Sequence, residues 1–483
     1  MKNSEILADL NLGSSVAEND ENLRSYFVPT VALADFLKDR YDLILGGKGS
    51  GKSALLRVVV SEKQTYKQLQ DIMLHVATEH TGEPSFKRGF GALRKGEYSE
   101  PDLVNAWKTY LLNLALDALE STPDTPERRK AIEFSEQIGI RYRTESAYKK
   151  VLWSLLRIFH PTSFTIGADS IKADFPDVPP EIWTKKDTVI DFPEALRLCV
   201  RAFEKVEVRC WILIDRLDAA FQSDPELERL ALKSLLTAYK DFMGQVSLRF
   251  KLFFRTDLFD QVISGTGFRE LTHVMDRTSP PMSWDGDKLL VMILERFLFN
   301  QSIQQKYGMV KDDLRNEELR QLLFFSIFPN QVDVGEKKSD SWTWMLNRIR
   351  DGNNIRTPRD LHSLIVNAAR KQQDALSIGG DEKSGELILA PAIKAGLSVM
   401  SLDKVRTTLI AENPNLETAI RAFSKKKAEH NATTLEGLLG SSWVPITVEL
   451  ERIGLLEKVG EAWKIPLLYR DGLEISQGAA FEK

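Results

Sequence analysis

Eight consecutive residues, Gly46-Gly47-Lys48-Gly49-Ser50-Gly51-Lys52-Ser53, bring together four glycines, two lysines and two hydroxyls. Glycines let a backbone curl until several N–H groups converge on one anion. The spacing G-x-x-x-x-G-K-[ST] adds a lysine that reaches β- and γ-phosphates and a hydroxyl that ligates Mg²⁺, here Lys52 and Ser53. Gly46 through Ser53, with Ala54 closing the run, are therefore the candidate phosphate-binding residues. The competing reading is a glycine-rich turn before an ordinary helix. The context weighs against it: Leu43-Ile44-Leu45 reads as a short buried strand, and Ala54, Leu55, Leu56, Val58 and Val59 open an apolar helix whose N-terminus favours anions.

Acids at the end of another apolar run offer the second half of such chemistry. Cys210-Trp211-Ile212-Leu213-Ile214 ends in Asp215, and Asp218 follows three residues on. In a parallel sheet this strand is expected beside the phosphate loop, with Asp215 holding the metal through water and Asp218 polarising the attacking water. A fortuitous strand and turn is the alternative. A further strand, Arg249 to Phe254, ends in Arg255-Thr256-Asp257, where Arg255 or Thr256 could report on the γ-phosphate, or an Arg–Asp pair could merely cap the strand. In Thr357-Pro358-Arg359, Thr357 reads as an N-cap and Pro358 as the first helical residue, which puts Arg359 in the first turn. A cation there opposes the helix dipole, so a phosphate or a nearby Asp should hold it.

The elements that must position these groups follow from periodicity and breaks. Residues 1–24 are polar and acidic around Ala17 to Glu21 and read as a mobile lead-in. Residues 25–275 read as an α/β nucleotide core, with Asp71 to Thr78 as its second strand and a helical insertion over about 95–205 that explains the long interval from Lys52 to Asp215. Tyr26 or Phe27 could stack on a base, though burial in the core is the commoner fate of such aromatics. Within the insertion, Leu103, Trp107, Leu111, Leu114 and Ala118 mark one helix and Tyr148 to His160 another. Gly82 to Ser99 reads as a loop, and the polar stretch Pro161 to Asp191 as an irregular excursion. Residues 276–380 read as a helical lid. Residues 381–483 close with a helix over Val448 to Leu456, a turn and a strand pair ending at Leu468, the layout of a winged helix. Lys425-Lys426-Lys427 before it is either a solvated helix face or a phosphate-backbone contact.

The composition bounds the partners. With 43% hydrophobic and 28% charged residues the chain is of the soluble globular class, and its net charge of −4 gives no global attraction to nucleic acid. Two cysteines, Cys199 and Cys210, sit in apolar runs, which fits a reducing cytoplasm and argues against a disulfide framework or zinc site. No basic region followed by an apolar core opens the chain, and no apolar run reaches bilayer length, so neither a secretory signal nor membrane insertion is expected.

In order along the chain, YFVPT, GGKGSGKSAL, ILIDRLD, LFFRTDLF, RTPRDL and the terminal IPLLYRDGLEI resemble a bacterial group of P-loop ATPases of the AAA+/STAND type. That resemblance implies an α/β fold in which a parallel P-loop NTPase sheet with a helical insertion is followed by a helical lid and a C-terminal winged-helix domain. It implies ATP and Mg²⁺ as cofactors, with Lys52 and Ser53 on phosphate and metal, Asp215 on Mg²⁺ and Asp218 as catalytic acid. Arg255 becomes the first sensor and Arg359 the second, so that nucleotide would couple core and lid. The sequence departs from typical AAA+ proteins, which carry adjacent Asp-Glu; here Arg216 follows Asp215, a spacing closer to the slowly hydrolysing STAND switches. Such proteins form homo-oligomers that complete the site with a neighbour's arginine, for which Arg277 and Arg296 are the candidates. They take effector or regulatory protein partners, and members of the group often occur in mobile or phage-defence loci. Three readings stay open at this point: a nucleotide-controlled switch or assembly platform, a DNA loader or initiator using the winged helix, and a non-enzymatic scaffold stabilised by ATP.

Overall fold

The computed structural model describes residues 2–77, 99–141, 190–217, 225–264, 271–380 and 385–476. These form two compact units. One comprises Pro29–Gly47 and Leu55–Met282, and the other Met1–Val28, Lys48–Ala54 and Ser283–Lys483. The expected helix over Tyr148 to His160, the excursion Pro161 to Asp191 up to residue 189, the loop from Gly82 up to residue 98 and Asp218 lie outside the described residues.

The first unit is built on four parallel strands: β1 (Leu43–Gly46), β2 (Ile72–Val76), β3 (Arg209–Ile214) and β4 (Leu248–Arg255). Their order is β1-β4-β3-β2. The strand ending at Asp215 was expected beside the loop-bearing strand; instead β4 lies between them, with Gly46 in register with Arg255 and Ile214 with Leu252. The connectivity is the reason. The chain leaves β1 for the far edge of the sheet and returns one strand at a time, so the last strand takes the place beside the first. On the other flank of β1, Ser279 N–H donates to the Leu43 carbonyl and Met282 N–H to the Leu45 carbonyl, both at 2.8 Å.

Alternation along the strands assigns the two faces. Leu43, Leu45, Cys210, Ile212, Ile214, Leu248, Phe250, Leu252 and Phe254 share one core with the helices Glu100–Glu120, Phe192–Lys205 and Pro225–Lys240. The expected insertion therefore does not stand apart: Trp107, fully buried, donates its indole N–H to the Ala231 carbonyl at 2.8 Å, and its helix forms a layer on the sheet. On the opposite face, Phe36 packs edge-on against Trp211 (5.4 Å between centroids) and beside Phe253 (6.1 Å).

That face also holds a buried charge cluster at the start of β1. Lys251, with no exposed surface, donates to Asp39, to the Tyr41 carbonyl (2.7 Å) and to Asp42 (2.8 Å), and lies 4.5 Å from the Trp211 ring centroid. Arg277 forks onto Asp42 at 3.0 and 2.9 Å, and the Tyr239 hydroxyl donates to the same carboxylate at 2.7 Å. Burial pushes the Asp42 carboxyl up, but Arg277 and Lys251 outweigh it and hold its pKa at about 2. Arg277 is thus committed inside its own chain, at the opposite end of β1 from the glycine loop, and is corrected as an intersubunit candidate.

In the second unit, the N-terminal residues are a packed element rather than a mobile lead-in. The helix Asn3–Asp9 buries Ile6 and Leu7, and Leu12, Leu23 and Tyr26 are buried after it. The acids that make this segment look unstructured have partners. Asp20 accepts from the Tyr26 hydroxyl and lies 3.2 Å from Arg296, whose guanidinium stacks 4.2 Å from the Tyr26 ring centroid and donates to the Leu12 carbonyl at 2.5 Å. Arg296 is buried by this arrangement, so it too is corrected as an intersubunit candidate, and Tyr26 is a core residue.

Residues on both sides of position 380 share one core. The helices Pro358–Ser377 and Ala390–Lys404 cross so closely that a Cβ on Gly396 would fall 2.5 Å from the Ala368 nitrogen. The chain then forms helices Glu417–Ala422, Ala432–Leu439 and Trp443–Arg452 and an antiparallel sheet of β5 (Glu429–His430), β6 (Glu457–Val459) and β7 (Ala462–Lys464) in the order β5-β7-β6. The third of these helices was expected over Val448 to Leu456. It stops at Arg452 because Gly454, at φ 75°, reverses the backbone and Leu455 turns into the core.

Candidate functional site

The glycine loop leaves the C-terminal end of β1 at Gly46 and opens a helix at Lys52 (Lys52–Ser61), as its sequence requires. Gly49 and Gly51 hold φ of 79° and 100°, left-handed conformations that side chains resist. Gly49 is constrained twice, since an added Cβ would lie 3.0 Å from Arg359 Cβ and 3.3 Å from Thr357 Oγ1. The loop therefore rests on the start of the helix that carries Arg359. That start is the expected one: Thr357 Oγ1 accepts from the Asp360 N–H at 3.1 Å, with Pro358 next.

Of the two partners anticipated for Arg359, no carboxylate pairs with it among the described residues. Its Nε donates at 3.4 Å to the Ser15 carbonyl. Asp360 instead takes Lys404, at 2.9 Å from each oxygen, and the Thr357 hydroxyl at 2.8 Å.

Two contacts to the loop were missed by the sequence reading. Trp284 Nε1 donates to the Ser50 carbonyl at 2.8 Å. In a trans peptide the carbonyl and the following N–H point in opposite directions, so this bond aims the Gly51 N–H away from Trp284. Glu412 forms an ion pair with Lys48. Neither residue belongs to a spacing pattern; each meets the loop from more than two hundred positions away in the chain, and only tertiary structure reveals it.

In the sheet unit, Asp215 follows β3 directly and is buried. It accepts the Arg216 N–H at 2.9 Å, and Arg216 is held at φ 59°. A non-glycine residue in that region stores strain of about 1–2 kcal/mol. Arg255, level with Gly46 across the β1–β4 register, forks onto Asp257 at 3.1 and 2.7 Å, so the capping pair anticipated as an alternative to a sensor is present. Thr256 Oγ1, beside it, is buried without a protein partner among the described residues. Gly46, Asp215 and Arg255 thus share the C-terminal edge of one parallel sheet, the edge at which open α/β sheets bind ligands. Lys48 to Ser53 and Arg359 belong to the helical unit.

No family model matches the chain, and no curated protein matches it. Among solved structures, it is similar to a Walker-type ATPase of Pyrococcus abyssi at 13% identity, over 97% of this chain and 100% of that one, with a TM-score of 0.39. A likeness that weak carries no functional argument, which leaves the chain's own residues.

Those residues fit a nucleoside triphosphate with Mg²⁺. The loop narrows at Gly49 and Gly51 to bare backbone, and Ser50 Oγ between them is a buried hydroxyl oxygen without a protein partner among the described residues. Lys52 and Ser53 are both only partly buried, so a ligand can reach them. Among the described residues no helix is long and apolar enough to cross a membrane.

Proposed function

We propose that this chain is a Mg²⁺-dependent P-loop ATPase working as a nucleotide-controlled switch. The observation that carries the reading is the loop itself: two left-handed glycines between a parallel strand end and a helix that opens on Lys52-Ser53, with the Arg359 helix start packed on Gly49. Backbone N–H groups of Gly49 to Ser53 and the helix N-terminus bind phosphate oxygens, and Lys52 neutralises charge on the β- and γ-phosphates. Ser53 and Asp215 are the residues that would hold Mg²⁺, which when bound polarises the phosphate oxygens. Asp218 orients and deprotonates the attacking water; the bond from water oxygen to γ-phosphorus forms as the bond to the β,γ-bridging oxygen breaks, leaving ADP and phosphate. Arg255 and Arg359 are assigned to reading the γ-phosphate, Arg255 after exchanging Asp257 for it.

We read the three helices and sheet of residues 417–464 as the winged helix and residues 283–404 as the lid. The loader alternative uses that winged helix on DNA. Its charge disfavours this: residues 414–476 carry eight Lys and Arg against nine Asp and Glu, and the helix Trp443–Arg452 exposes Val444 and Val448. Of the three lysines, Lys425 is drawn to Glu474 at 3.5 Å, and Lys426 accepts the Ser476 N–H on its carbonyl. The scaffold alternative differs only in turnover. A homo-oligomer, a protein effector and a place in bacterial defence rest on the resemblance alone.

Steady-state phosphate release by wild type and Asp218→Asn tests the assignment. Slow Mg²⁺-dependent release that falls at least about 100-fold in the variant, with ATP binding retained, supports a switch that hydrolyses. Equal release in both favours the scaffold.

A further inference from the structure

The Lys48–Glu412 ion pair ties the phosphate loop to the C-terminal part of the chain, and we infer that it is a latch that nucleoside triphosphate opens. The inference rests on the P-loop reading above and adds its regulation. Lys48 occupies the third position of the loop, where its ammonium is a second cation beside Lys52. In the structure that ammonium is neutralised by Glu412, whose side chain is largely buried. A triphosphate bound by the loop brings several negative charges to a place where a carboxylate is already fixed. Like charges at such range repel, and both compete for the same lysine, so the occupied loop favours release of Glu412.

The segment bearing Glu412 is arranged to transmit that release. The helix Ala390–Lys404 continues as a π-helical turn over Val405–Ile410, a geometry that is rare and concentrated at functional sites. Glu412 lies just beyond it. At the near end of the turn Lys404 is bound by Asp360, which also holds the Thr357 cap of the helix whose Arg359 abuts Gly49. Residues 404–412 thus form a strap with both ends on the nucleotide machinery, one at the Arg359 helix and one at Lys48. Beyond Glu412 the chain runs directly into the helix Glu417–Ala422 of the C-terminal three-helix segment. Opening the Lys48 end while the Lys404 end stays fixed frees the π turn to rewind and re-aims that segment.

The latch makes Glu412 a restraint on triphosphate affinity. In the full-length chain, Glu412→Gln should bind MgATPγS about 5- to 50-fold more tightly than wild type in titration calorimetry, the usual span of a coupling between sites. Its gain for MgADP should be smaller. Amide hydrogen exchange over residues 405–416 should be slow in wild type alone, faster with MgATPγS, and already fast in Glu412→Gln alone. Lys48→Met breaks the same pair from the other side; it should show the fast exchange without the affinity gain, which separates a latch from simple loss of charge. It also serves if Glu412→Gln does not fold. Wild-type affinity and wild-type exchange in Glu412→Gln, with wild type binding MgATPγS normally, overturn the latch alone. Absence of triphosphate binding in wild type overturns the nucleotide reading and the latch with it.

Discussion

At the scale of single residues, the loop depends on what glycine permits. Gly49→Ala places a methyl in a left-handed backbone and 3.0 Å from Arg359 Cβ. We predict a loss of about 1–2 kcal/mol in stability by thermal unfolding, together with loss of MgATP binding by more than tenfold in calorimetry. An unchanged affinity would mean that the loop's curvature is not used for phosphate. A second residue-level prediction concerns Asp42. Its native pKa of about 2 lies below the unfolded value of 3.8, so its contribution is complete above about pH 4 and disappears as the pH falls towards 2. That contribution is about 2 kcal/mol, and acid titration of unfolding free energy should show Asp42→Asn losing this limb. The sequence disclosed the strand, glycine loop and helix start around Lys52 and the Thr357 cap because their patterns are local, written in spacings of one to six residues. Trp284, Glu412 and the Asp42–Lys251–Arg277 cluster were not legible, because each depends on a partner brought near by folding.

At the scale of elements, strands and capped helices were legible where period and punctuation agreed, as in β1, β3, β4 and the helix beginning at Pro358. The N-terminal segment was not, because its few apolar residues are diluted by acids whose partners lie elsewhere in the chain. Its docking makes a testable pH dependence. His362, on the helix Pro358–Ser377, bonds through Nε2 to the Leu12 carbonyl at 3.0 Å, and burial, reinforced by Arg296, lowers its pKa to about 4 from 6.5. The unfolded chain takes up a proton below pH 6.5 while the native ring stays neutral to about pH 4, so stability falls with acidification across that window. The full penalty is about 3 kcal/mol. Hydrogen exchange over residues 3–13 should accelerate between pH 6.5 and 4.5 after correction for intrinsic rates, and His362→Gln should flatten the response. The order of strands was misjudged for a different reason: alternation reveals that a strand exists and which residues share a face, but not which neighbour it takes.

For the whole molecule, the charge distribution separates the rival functions better than the fold does. The near balance of charge over residues 414–476 predicts no salt-sensitive duplex binding. Fluorescence anisotropy with a labelled duplex at about 0.1 M salt should therefore show none, and DNA should leave turnover unchanged; tight binding with stimulated turnover would promote the loader. The α/β character of the chain was legible, since a parallel sheet and its helices write strong local patterns. The grouping of the phosphate loop with the helical unit was not, for it is set by Trp284, Arg359 and Glu412, which contact the loop across long stretches of chain. The proposed switch requires that this loop bind and cleave a nucleoside triphosphate. Mg²⁺-dependent ATP binding and phosphate release, measured on wild type beside Lys52→Ala of equal thermal stability, test it most directly. Wild type should bind MgATP at micromolar concentration or tighter and release phosphate slowly, with both abolished in the variant. Indistinguishable behaviour of the two proteins would contradict it.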